Sequence, residues 1–172
     1  MKEYLLLLPI IFIFHDMEEI IGFGWFFRRN PELFRRHPRL TATYRGFTNE
    51  GFAAAVYEEF IPFFGVTLLA YYFPGRVLYA LWFGMMLSLT GHFIAHIGIC
   101  AYVGKFIPSL ITSLICLPVS AVILVKTSAL MTFDALTVSL NVMAVLAMML
   151  NMKLAHGVMH LCNRRFGSGT EE

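Results

Sequence analysis

The chain has 172 residues, a mean hydropathy of +0.70, 58% hydrophobic residues and only 14% charged ones, against about 25% charged in soluble domains. That composition places most of the chain in lipid, and the length fits one helical bundle over 1–166 without a second soluble domain. A net charge of +2 gives no global field for nucleic acid, and three scattered cysteines (Cys100, Cys116, Cys162) offer neither a disulfide framework nor a zinc ribbon.

Five segments reach the roughly 20 apolar residues that a spanning helix needs. The first, Tyr4 to Phe27, carries His15-Asp16-Met17-Glu18-Glu19 and ends at Arg28-Arg29. It follows Met1-Lys2-Glu3 without a small-residue cleavage site, so it is expected to remain as a helix. A basic connector follows, with Arg28, Arg29, Arg35, Arg36, Arg39, Arg45 and a solvated His37. Within it Asn30-Pro31-Glu32 reads as the N-cap and first turn of a short interfacial helix.

The second span, Thr48 to Phe73, holds Glu50 near its start, then Glu58-Glu59, then Pro62, which should kink it beside the acidic pair. The third, Val77 to Val103, contains His92 and His96. The fourth, Phe106 to Val125, has no acidic residue or histidine and reads as a structural wall bent at Pro118. The fifth, Asp134 to Cys162, contains Asn151, His156 and His160, with Asn163 after it. Arg164-Arg165 close it, and 167–172 read as a disordered tail. With five spans, the connector, Lys105 and Arg164-Arg165 share one side, which the positive-inside rule makes cytoplasmic. The N-terminus then lies outside the cytoplasmic membrane.

Ionisable groups inside a membrane are expensive and mark function. At 1.5 Å per residue, Glu18 and Glu19 lie about 14 Å above the basic end and His15 about 19 Å. On the same measure Glu58 and Glu59 lie about 15 Å up, His96 and His92 about 13 and 19 Å, and His160 and His156 about 6 and 12 Å. Four motifs from four helices reach overlapping levels. His15, Glu18 and Glu19 are at i, i+3 and i+4 and share a face, which sets Asp16 beside it. His92/His96 and His156/His160 have the i, i+4 spacing by which two imidazoles reach one metal.

Lys153 is the one nearby cation for these carboxylates, so a metal centre is expected to supply the missing charge. The expected ligands are His15, Glu18, Glu19, Glu58, Glu59, His92, His96, His156 and His160, supported by Asp16, Glu50 and Asn163. Glu19 and Glu58 are the candidate catalytic groups. So many donors exceed one tetrahedral zinc and suggest two divalent ions, iron favoured, with zinc or manganese as alternatives.

The ordered motifs resemble the HXXEE family of small bacterial membrane proteins, named for the motif that stands here as His15-Asp16-Met17-Glu18-Glu19. The resemblance implies a membrane protein with a metal site and fixes no reaction. A looser similarity to membrane proteases of the CAAX-processing type lacks their EExxxR pattern, since Phe23 and Phe63 follow the two glutamate pairs. The HxxHH boxes of membrane desaturases and hydroxylases are also absent. Three functions compete. One is a di-iron oxidase acting with O₂ and an electron donor on a lipid-like or other hydrophobic substrate. The others are a zinc hydrolase using the same residues and a non-enzymatic membrane protein, either a metal or proton carrier or a haem-binding electron-transfer bundle.

Overall fold

The computed structural model describes residues 1–166, and no strand occurs among them. A single turn, α1 (Lys2–Leu5), leads into α2 (Leu7–Arg29). The connector holds two further turns, α3 (Leu33–Arg36) and α4 (Pro38–Thr41), and a 3₁₀ turn at Ala42–Tyr44. Four long helices follow: α5 (Asn49–Tyr72), α6 (Arg76–Val103), α7 (Leu110–Ser128) and α8 (Ala135–Phe166). The tail expected over 167–172 lies outside the described residues.

Helices α5 to α8 are each long and apolar enough to cross a membrane, and the chain is a membrane protein. The expectation of five spans is corrected to four on these criteria. Helix α2 has 23 residues, but every 18-residue stretch of it contains Asp16, Glu18 and Glu19. The connector also differs in detail from expectation. Asn30 closes α2 instead of opening the next helix, because its side-chain amide donates to Phe26 O at 2.8 Å. Proline takes the start of a helix at Pro38 rather than Pro31.

The five long helices form a ring. Helix α2 packs on α5, α5 on α8, α8 on α6, α6 on α7, and α7 back on α2. The last helix therefore packs against both α5 and α6. It comes close because Gly84 has no side chain: a Cβ there would lie 2.7 Å from Asn141 O and 2.8 Å from the Ala144 Cβ. Side-chain bonds fix which ends lie together. Lys105 Nζ donates to Asn30 Oδ1 (2.5 Å) and Glu32 Oε1 (2.8 Å), joining the connector to the α6–α7 turn. This bond holds the Glu32 carboxyl below its usual range. Thr48 caps α5 by accepting from Gly51 N–H (3.0 Å) and donates to Asn163 Oδ1 (2.6 Å) near the end of α8. At the other end Lys2 lies over the Tyr71 ring, and Arg76 pairs with Asp134. The grouping of basic segments expected from the sequence is thus the grouping of the bundle's ends.

Helices α5 and α7 each run through an internal proline, Pro62 and Pro118. At Pro9 the consequence is visible. Proline has no N–H to give the carbonyl four residues back, and the freed Leu5 carbonyl accepts instead from the Trp82 indole N–H at 3.0 Å. Leu5 and Trp82 are fully buried, so this bond ties α6 to the end of α1 in an apolar setting.

Trp82→Phe keeps the ring but strands the Leu5 carbonyl, and should lower stability by about 1–3 kcal/mol, read from thermal unfolding in detergent. Asp134 accepts from Arg76 and from Thr137 N–H (3.0 Å), and Arg76, its main influence, holds its carboxyl down at about 2. A depressed carboxyl stabilises the fold above its unfolded value, about 3.9, and loses that effect as pH falls through the folded value. Asp134→Asn should therefore lower the Tm at neutral pH, with the difference closing as pH falls from about 4 towards about 2.

Candidate metal centre

The inward face of α2 is narrower than the sequence suggests and is rotated from the expected one. His15, Asp16 and Glu19 are buried, while Glu18 sits at the flank, half-buried against α7. His92 and His96, one turn apart on α6, meet this face. One donor atom each from His15, Glu19, His92 and His96 lies within 4.8 Å of every other. His96 Nε2 is 3.0 Å from Glu19 Oε1 and 2.7 Å from His92 Nε2, and His15 Nε2 is 3.9 Å from Glu19 Oε1.

Two features of this group fit a cation. His15 Nε2 is buried without a hydrogen-bond partner, and Glu19 Oε1 has only the His96 Nε2 contact, which is not aligned as a hydrogen bond, a state that native interiors rarely leave unexplained. His92 Nε2 and His96 Nε2, at 2.7 Å, would set two lone pairs against each other unless a proton or a metal stood between them. Four donors around one ion with bonds of about 2.0–2.1 Å form a tetrahedron with edges of about 3.3 Å, within the spread of the observed distances. Lys153, the expected alternative source of positive charge, is exposed.

The outer ring nitrogens are held by α7. Thr112 donates both its N–H (2.8 Å) and its O–H (2.6 Å) to Glu18 Oε2. Its hydroxyl proton is therefore committed, and its oxygen accepts from His15 Nδ1–H at 2.9 Å. That fixes His15 as the Nδ1–H tautomer with a free lone pair at Nε2, as metal-binding histidines are oriented by outer partners. Ser109 Oγ stands 2.9 Å from His96 Nδ1 in the same way. Ser109 is fully buried with φ +107°, a left-handed conformation that side chains avoid. Gly22 makes room for this turn, since any side chain there would overlap Pro108. The structural wall expected at α7 has a specific part in the site: the start of the helix holds two of the three α2 and α6 histidines in register.

The other expected residues are arranged around this group. Asp16, Glu59 and His156 line, with Glu19, His92 and His96, one cavity of about 200 Å³. Asp16 Oδ2 is buried and unpartnered. Glu58 is half-buried and accepts from Asn151 Nδ2 at 3.4 Å, away from the cavity. His160 is exposed, one turn beyond His156. Asn163 braces α5 at Thr48, and Glu50 is exposed at the basic end. Tyr44 was not anticipated: from the connector it reaches the same cavity wall. An aromatic among arginines was the available hint, whereas Thr112 and Ser109 gave none, because hydroxyl residues are ordinary in membrane helices.

The fold and site define a helical membrane protein with a buried histidine–carboxylate centre. The chain belongs to the HXXEE-motif family, described as proteins of unknown function with an HXXEE motif, and the match spans residues 6–123. No curated protein and no solved structure matches the chain. The motif's three named positions have separate places here. His15 and the second glutamate, Glu19, enter the cluster, and the first, Glu18, holds the threonine that orients His15.

Ser109→Ala and Ser109→Gly both remove the hydroxyl from His96, but only glycine relieves the left-handed backbone. The glycine variant should be the more stable of the two by about 1–2 kcal/mol, measured as the difference in their unfolding midpoints.

Proposed function

We propose that this protein is a membrane-embedded metal-dependent enzyme, with a di-metal centre, iron favoured, that oxidises a hydrophobic substrate with O₂. The observation that carries the reading is the cluster itself: three imidazoles and a carboxylate converge in an apolar bundle with no cation beside them. His15, His92, His96 and Glu19 would hold one ion. Asp16, Glu59 and His156, on the wall of the adjoining cavity, offer the oxygen-rich set that a second ion takes in carboxylate-bridged sites. Bound iron would supply Lewis acidity and redox capacity.

The residues of the chain then have definite tasks. Glu18 and Thr112 hold the His15 tautomer, Ser109 orients His96, and apolar walls from α5 and α8 keep bulk water from the centre. Hydroxylation of a C–H bond consumes one O₂, two protons and two electrons and yields an alcohol and water. The electrons would come from a separate electron-donor protein.

A zinc hydrolase is the second reading. It is favoured by the three-histidine, one-carboxylate set, which suits tetrahedral zinc, and by the unpartnered Asp16 carboxylate, which could serve as general base. In either case α2 would be a fifth span, with Asp16 and Glu19 facing inward. The basic end lies in the cytoplasm and the N-terminus outside.

Elemental analysis of protein purified in mild detergent should find about two equivalents of iron, and loss of metal in His15→Ala and His96→Ala. Zinc with oxygen-independent activity would select the second reading, and absence of any transition metal would overturn both. Thr112→Val should weaken metal binding about 10–100-fold, while Thr112→Ser, which keeps the relay from Glu18, should stay near wild type.

A further inference from the structure

Beside the metal-site cavity lies a second one, of about 130 Å³, beneath the connector. The two share Tyr44, His96 and Ile99 as a common wall. Their linings differ sharply. The first carries the carboxylates, whereas the second is walled by Phe23, Phe26, Leu33, Val103 and Ile107. Its Thr41 hydroxyl is already spent on His37 O at 3.0 Å. At its outer edge stand Leu40, 40% exposed, and the half-buried His37. The chamber thus runs from the connector surface to the imidazole of a cluster residue.

We propose that this chamber is the binding site for the apolar part of a single-chain amphiphile, whose polar or reacting end lies at the cluster. The proposal rests on the metal-centre reading and narrows its substrate class. An apolar cavity of about 150 Å³ holds one benzene and stays dry, so this one takes an apolar group of about five or six carbons. A diacyl lipid does not fit. A longer single chain fits only by passing Leu40 towards the surface, where further carbons gain nothing from the protein. The connector, more than a topology signal, is the roof of this site. Its three short turns bring Leu33, Leu40 and Tyr44 to the chamber wall, while its arginines remain at the surface that an anionic membrane covers.

The test uses the full-length protein loaded with cobalt(II) and a series of n-alkyl hydroxamic acids, whose head group binds metal. Binding is read from the cobalt visible spectrum. Affinity should rise about four-fold per added methylene, the equivalent of about 0.8 kcal/mol, and level off near six carbons. Val103→Phe fills the chamber away from the cluster and should move the plateau to shorter chains without changing the affinity for acetohydroxamic acid. Leu40→Trp at the exposed mouth gives the same reading if the first variant does not fold. A continued rise beyond eight carbons, equal in wild type and variants, would show partition into detergent and overturn the chamber. So would cobalt-bound protein indifferent to chain length. Failure of the wild-type protein to bind cobalt would instead overturn the metal centre itself.

Discussion

The structure turns on one electrostatic constraint: Glu19 is buried in an apolar bundle among His15, His92 and His96, with no arginine or lysine beside it among the described residues. An isolated carboxylate in such a place is strongly disfavoured. The surrounding arrangement reads as a response to that fact. Helix α2 is turned so that Asp16 and Glu19 face the interior, and α6 brings its two imidazoles to the same level. The first turn of α7 is held in a strained conformation to reach the outer nitrogens. The neighbouring interfaces use polar bonds at the bundle's ends, at Lys105, Thr48 and Arg76, and one between Asn151 and Glu58 in the middle of the α5–α8 seam.

Much of the fold was legible because it depends on periodicity and composition. Long apolar runs, breaks at Arg28-Arg29 and Pro74-Gly75, and the bias of basic residues gave the helices and the grouping of their ends. The exception is α2. It is long enough to span, but the three carboxylates that make it interesting also take it outside the composition of an ordinary span. The connector was mistaken in a small way for a similar reason. Asn30 can cap either the end of one helix or the start of the next, and only the packing of α2 decides.

The site was legible to the extent that spacing and depth determine it. His92 and His96, one helical turn apart, and His15 with Glu19, also one turn apart, meet because residues so spaced share a face. What spacing could not give was rotation. Glu18 and Glu19 are adjacent and point about 100° apart, so only one enters the cluster, and the choice depends on how α2 rolls against α5 and α7. Of Glu58 and Glu59, likewise, only Glu59 reaches the adjoining cavity. His156 and His160 share a stripe, but α8 carries the second out of the bundle. Thr112 and Ser109 were invisible because their role comes from what they touch.

The place of α8 in the ring has a consequence for biosynthesis. Every residue of the four-donor cluster, and both hydroxyls that orient it, has been synthesised by Thr112, while α8 begins at Ala135. Yet α8 packs against both α5 and α6, which precede it. The complete donor set therefore precedes α8 in the chain, and the ring of helices closes only when α8 takes its place against α5 and α6. Its arrival brings Met152, Ala155 and His156 to the wall of the metal-site cavity, so capture of an ion by the first four residues can precede enclosure of the site.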